Sequence, residues 1–230
     1  MKNVKTWSYG LSVLVALLAV GLPAASATVD LDAAVGATAA AGLFDTYVEG
    51  LLRTMTVLAL TDEARSADWE TIFPLLQAFQ DTSLPMATWF LEPDGGYYTV
   101  SGGRSSANLS DRAYFPVVMG GEIASGYLVV SRSTGRKSMV AVVPVLVEET
   151  VVGGLGVSVF LDTLSEAIGD DLDLPEGLAF LALTPEDEIA LHSDTDLLLL
   201  GSGEADVSFD DGASAVSDLL GWTFWVAQRD

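Results

Sequence analysis

Three apolar runs, residues 126–131, 138–147 and 151–160, follow one another with only a few turn-forming residues between them. Thr134-Gly135-Arg136 turns between the first two, and Glu148-Glu149-Thr150 between the second and third. Gaps this short cannot carry a crossover, so the strands they join run antiparallel. Residues 87–91 and 97–100 read as a further hairpin around Glu92-Pro93-Asp94-Gly95-Gly96. Ahead of these strands, residues 30–60 are rich in Ala and Leu and contain no Pro. Leu43, Tyr47, Leu51 and Leu58 recur at helical spacing, which predicts one long amphipathic helix, weakened by Gly36, Gly42 and Gly50. Asp68 reads as the cap of a second helix whose apolar side is Trp69, Ile72, Phe73, Leu76 and Phe79. Ser110 reads as the cap of a short helix, and residues 161–168 as another. Helices flanking an antiparallel sheet make an α+β layout.

The acidic, Pro-terminated stretch 169–175 reads as a boundary. It divides a main module, residues 28–170, from a small strand-rich module, residues 171–230. The latter reads as three strands, at 178–183, 188–192 and 222–227, with a polar, Gly-rich segment over 201–214.

Residues 1–27 read as an address. Lys2 and Lys5 precede the apolar run 11–22, Pro23 breaks it, and Ala25-Ser26-Ala27 is a small-x-small cleavage site. This is the three-part pattern of a secretory signal peptide. The run is short for a spanning helix, which needs about 20 residues. The expected location is secreted or periplasmic; the alternative is an uncleaved anchor holding the chain at the outer membrane face. The later apolar segment 139–161 is interrupted by Pro144, Glu148 and Glu149 and predicts no membrane span.

The full chain carries 10 Lys and Arg against 32 Asp and Glu, a formal net charge of −22. Cleavage after Ala27 removes two Lys and no acid, leaving 8 cations against 32 anions, a net charge of −24. Such a chain repels nucleic acid. With no Cys and one His, disulfides, thiolate zinc and multi-histidine metal sites are excluded. Half the residues are apolar, so the acidity does not signal a disordered tail.

Charge placement picks out the candidate site. Five of the eight mature cations, Arg104, Arg112, Arg132, Arg136 and Lys137, lie between positions 104 and 137, where the only acids are Asp111 and Glu122. Arg offers a planar fork suited to a carboxylate or phosphate. Tyr97, Tyr98, Tyr114 and Tyr127 lie nearby, so Arg, Tyr and Ser converging on the sheet predict a pocket for a small anion. Arg112, flanked by aromatics, is the preferred anchor; Arg104, Arg136 and Lys137 read as exposed ion pairs. Catalysis finds no support: His192 lacks a nucleophile partner, and Thr134 with Lys137 sits in a turn rather than at a helix start. Asp170-Asp171 and Asp210-Asp211 lack calcium-loop spacing. No enzyme, metal or cofactor is expected.

Residues 89–98 (WFLEPDGGYY), 108–115 (NLSDRAYF), 131–138 (SRSTGRKS), 141–145 (AVVPV) and 152–162 (VGGLGVSVFLD), in this order and spacing, resemble the extracellular Cache sensor family. The resemblance implies a PAS-like sheet with a ligand pocket under a helical and loop cover, and a reduced second module from residue 178. The family's Arg-x-aromatic-aromatic element supplies ligand contacts and falls here on Arg112, Tyr114 and Phe115. Tyr97, Tyr98 and Ser131 are expected to assist. Members that bind amino acids or amines usually carry an Asp where this chain aligns Ser158, which points away from amine ligands and to a carboxylate or other small polar anion. Asp162 falls at a helix start and reads as capping. Cache modules usually sit in receptors, whereas this chain ends at Asp230 after its last strand. The expectation is therefore a sensor-type binding module that passes its bound state to a separate membrane receptor. Two other readings share these features: a protein-interaction module with a vestigial pocket, and a secreted hydrolase.

Overall fold

The computed structural model describes residues 33–175, 177–205 and 212–228. The signal peptide expected over residues 1–27 lies outside the described residues. The Ala- and Leu-rich run forms α1, Ala33–Ala59, whose buried side is Gly36, Ala37, Ala40, Ala41, Phe44, Val48, Leu51, Met55 and Ala59. Small residues along the first turns of that side let a sheet approach closely. A one-turn helix α2, Asp62–Arg65, is capped by the Thr61 hydroxyl. The longer α3, Trp69–Asp81, is capped by Asp68, whose carboxylate accepts the Thr71 N–H at 3.2 Å.

The first sheet follows: β1 Met86–Leu91, β2 Tyr97–Thr99 and β3 Gly103–Arg104, then a short helix α4, Tyr114–Met119, then β4 Ala124–Val130, β5 Lys137–Val147 and β6 Thr150–Phe160. Its order is β3-β2-β1-β6-β5-β4, antiparallel throughout. Helix α5, Leu161–Leu172, leads to a second sheet of β7 Leu178–Leu183, β8 Ile189–His192, β9 Ala213–Val216 and β10 Thr223–Gln228, ordered β8-β7-β10-β9. The architecture is α+β, as the sequence predicts. Among the described residues no helix is long and apolar enough to cross a membrane.

Both faces of the first sheet are covered, which is why β1 is buried at every position. One face, with Phe90, Met139, Ala141, Val143, Leu155 and Val157, packs on α1 and joins α5 and the second sheet in one continuous core. Phe44 of α1 is fully buried there, 4.7 Å from the Trp222 ring and 5.2 Å from Phe224. The next residue, half-buried Asp45, adds a polar tie: its carboxylate accepts the Ser217 hydroxyl and, at 2.9 Å, the Asp218 N–H. The long helix therefore binds both sheets.

Three local expectations are corrected. Ser110 caps nothing: α4 begins at Tyr114, and its preceding residue, Ala113, has no capping side chain. Among the described residues the tail has four strands, not three, because 213–216 pairs along β10. That strand alternates half-buried and exposed residues at a sheet edge, so it carries no apolar run to announce it. Helix α5 continues past Ile168 to Leu172, which is buried, and stops where Asp173 adopts φ 45°.

Candidate ligand-binding site

The other face of the first sheet carries the site. Strand alternation sends Trp89 and Leu91 of β1, and Val140 and Val142 of β5, to this side, where they form a small separate core with Tyr97, Leu109, Tyr114, Val118 and Ala124. On β6 the same side is Gly154, Gly156 and Ser158, a stripe without large side chains. Trp89 uses that space. It pairs with Gly156 in the ladder, and a Cβ built on Gly156 falls 2.4 Å from the Trp89 ring. The indole N–H then donates to Ser158 Oγ at 3.2 Å. Tyr97 and Tyr114 stand 6.2 and 6.1 Å from the same ring, and Tyr127 meets Tyr114 edge-on at 5.8 Å.

The rings of Trp89, Tyr97 and Tyr114 wall a cavity of about 20 Å³ lined also by Leu109, Arg112, Val129, Ser131, Arg132, Ser133, Val140 and Ser158. That is room for about one water. Two buried polar atoms in the lining have no partner among the described residues: Arg112 Nε and Tyr97 Oη. Arg112 is held at its far end, where Nη2 donates to the Val130 carbonyl at 3.1 Å. Burial pushes the Tyr114 phenol up to about 12, against the opposing influence of Arg112.

Arg132 closes the cover. Its two terminal nitrogens donate to the two oxygens of Asp111, each at 2.7 Å, and Nη1 also donates to the Asn108 carbonyl. The hydrogen bond from Arg132 holds the exposed Asp111 carboxyl below its usual range. The turn bearing Arg132 is tethered elsewhere. Arg136 lies 3.6 Å over the Phe160 ring and donates to both oxygens of Asp162, at 2.5 and 2.6 Å. Burial works against the Asp162 charge, but Arg136 and the Thr163 N–H outweigh it and keep the carboxyl low. Lys137 Nζ donates to the Asp196 carbonyl beside the second sheet, at 3.2 Å.

Of the residues singled out in the sequence, Tyr97, Arg112, Tyr114, Ser131 and Ser158 come together on this cavity. Tyr98 and Phe115 do not line it. Tyr98 points to the opposite sheet face, stacks on Trp69 at 5.1 Å and accepts a hydrogen bond from Arg104. Phe115 is half-buried at the edge of the small core. Arg104 pairs with Glu92 at 2.7 Å. Sequence reasoning passed over Trp89 and Arg132 as site residues. The small-residue alternation of 154, 156 and 158 was the available signal for a large neighbour. Larger hollows lie elsewhere, each about 400 Å³: one beside α5, Phe180 and His192, another between β4 and residues 184–188. His192 Nδ1 accepts the Asp194 N–H at 2.7 Å and so helps shape a turn. Among the described residues, no group of three His, Asp or Glu is placed to hold a metal.

Neither a family model nor a curated protein matches the sequence. Solved structures do. The ligand-binding domain of the Pseudomonas fluorescens chemoreceptor CtaA, in complex with L-serine, superposes with TM-score 0.66 at 13% identity over 84% of this chain and 93% of that one. The domain of the Pseudomonas aeruginosa amino-acid chemoreceptor PctC, bound to GABA, gives 0.63 at 18% identity over 83% and 94%. The V. cholerae histidine kinase DctB sensor domain gives 0.61 at 12% identity over 84% and 96%. The fold is that of the Cache-type sensor domains. At these identities the likeness is one of fold, and it spans both sheets. Within this Cache fold the chain's own residues decide what the cavity can hold. Its charged lining is two guanidinium groups and no carboxylate.

Proposed function

We propose that this chain is an extracytoplasmic, non-catalytic sensor module that binds a small carboxylate between Arg112 and Tyr97. One observation carries the reading: Arg112 Nε and Tyr97 Oη are buried, border one cavity and lack a partner among the described residues. A guanidinium N–H only donates and a phenol donates readily, so their common complement is an acceptor-rich anion. Leaving such donors unpaired costs about 1–3 kcal/mol each, which a carboxylate recovers.

The solved domains with this fold include complexes with L-serine and GABA, both of which carry an ammonium group. An ammonium would find no carboxylate in this lining, and Ser158 Oγ already accepts from Trp89. The positive window is also where a chain of −22 gathers five of its cations, which favours an anion there. Entry requires the cover, residues 108–112, to move, because about 20 Å³ does not admit a carboxylate. In this reading residues 1–27 direct export, residues 28–170 bind the ligand, residues 171–230 form a reduced second module, and the module as a whole passes its bound state to a membrane receptor.

Calorimetric titration with short-chain carboxylates tests the proposal, using the wild type, Arg112→Ala and Tyr97→Phe. Saturable binding that falls at least about tenfold in Arg112→Ala is expected, the scale of one charge-assisted hydrogen bond. Absence of carboxylate binding, or an unchanged affinity in Arg112→Ala, refutes it.

A further inference from the structure

We infer that Asp111 is a built-in competitor for Arg132, and that the ligand displacing it carries two acidic groups. This rests on the carboxylate reading above and deepens it. Arg112 and Arg132 line the same cavity, yet their forks are in different states. Arg112 has a buried N–H without a protein partner, whereas both terminal nitrogens of Arg132 are held by one carboxylate in parallel 2.7 Å bonds. That is the geometry with which Arg recognises a carboxylate of any origin. Here the carboxylate comes from the chain itself.

Asp111 is poorly committed to the fold. Its side chain is 66% exposed and its only ion pair among the described residues is with Arg132. Water can take over its charge when it leaves, so exchange with a ligand carboxylate replaces like with like. Once Asp111 swings out, two guanidinium charges face the cavity. A monoanion neutralises one of them and leaves the other without its partner. A ligand with two acidic groups neutralises both, one group at Arg112 and Tyr97, the other at Arg132.

The exchange also opens the cover. Arg132 holds residues 108–111 at two points, the Asp111 carboxylate and the Asn108 carbonyl. The segment on Arg132's own side cannot yield as easily. It is fastened to the start of α5 through Arg136 and Asp162, and to the loop after β8 through Lys137 and Asp196. Residues 108–112 lose the hold of Arg132 in the exchange and keep the bonds of the Leu109 N–H to the Gly95 carbonyl, at 2.8 Å, and of the Asn108 amide to the Asp94 carbonyl, at 3.0 Å; Arg112 follows Asp111 directly. Ligand charge and cover position are thereby coupled through one side chain.

The experiment compares malonate, succinate and glutarate with propionate, butyrate and valerate, matched for chain length, by calorimetry on the purified chain. The readout is the ratio of dicarboxylate to monocarboxylate affinity, which cancels any general change in the protein. In the wild type the ratio is expected to reach about tenfold for the best-fitting length. Asp111→Asn removes the competing charge and widens the ratio further, while Arg132→Gln collapses it toward one. A wild-type ratio near one overturns the inference, as does Asp111→Asn leaving the ratio unchanged or narrowing it. In either case binding that still depends on Arg112 leaves the carboxylate reading standing. If neither series binds, both fall together.

Discussion

Replacing Gly156 by Ala adds one methyl group to the pocket face of β6, directly beneath Trp89. The new Cβ would lie 2.4 Å from Cη2 and Cζ2 of the indole and 2.5 Å from Cδ2, where ordinary contact begins near 3.4 Å. The ring has to retreat by about 1 Å, and it is only 3% exposed, with Tyr97 and Tyr114 beside it. Overpacking of this kind costs about 1–3 kcal/mol. Loss of the bond from Trp89 to Ser158 adds about 1 kcal/mol. The stiffer unfolded chain returns about 0.4–1 kcal/mol. The net expectation is a destabilisation of about 1–4 kcal/mol, together with lost carboxylate binding as the ring is driven into a cavity of about 20 Å³. The matched control is Gly42→Ala on the exposed side of α1, where no heavy atom lies within 4 Å of the new Cβ. The same chemical change there is expected to stabilise by up to about 1 kcal/mol. Urea unfolding, followed by tryptophan fluorescence and circular dichroism, reads both as midpoint shifts at constant slope. A Gly156→Ala midpoint equal to or above the wild type would show that Trp89 does not rest on this glycine.

Phe44→Ala empties the space between Trp222 and Phe224 and is expected to destabilise by about 3–5 kcal/mol. Hydrogen exchange should show the second sheet losing protection along with α1; an effect confined to the helix would contradict the shared core. Tyr47 and Tyr114 are both pushed by burial from 10.0 up to about 12. Below pH 10 both phenols are protonated in the folded and unfolded chain. Above it the unfolded chain ionises first, so stability falls between about pH 10 and 12, by up to about 1.4 kcal/mol per pH unit per tyrosine. Absorbance titration should find two late-ionising phenols; uniform ionisation near 10 would contradict their burial.

Much of the fold was legible because its signals are local. The hairpin at Glu92–Gly96, the turns at 134–136 and 148–150, the Asp68 cap and the long periodic helix each depend on a few neighbouring residues. β9 was hidden for the converse reason: an edge strand with alternating half exposure needs no apolar run. The site was legible in its chemistry and only partly in its geometry. Tyr97 and Tyr98 looked equivalent, yet neighbours on a strand face opposite ways, so one borders the cavity and the other stacks on Trp69. Arg104, Arg136 and Lys137 read as ion pairs in the sequence, but their partners were not legible there: Arg136 meets its own 26 residues along the chain.

The sequence by itself determined the element types, the antiparallel pairing that short turns impose, and the cluster of positive charge within an acidic chain. Each follows from backbone preference or from composition over short stretches. Only the tertiary structure decided that Trp89 lies on Gly156, that Asp111 fills the fork of Arg132, and that Arg112 and Tyr97 share one cavity. These outcomes depend on register and on which face each strand turns inward. Both are chosen by the packing of α1 and the two sheets around a common core, an energy that belongs to the whole chain and to no local stretch of it.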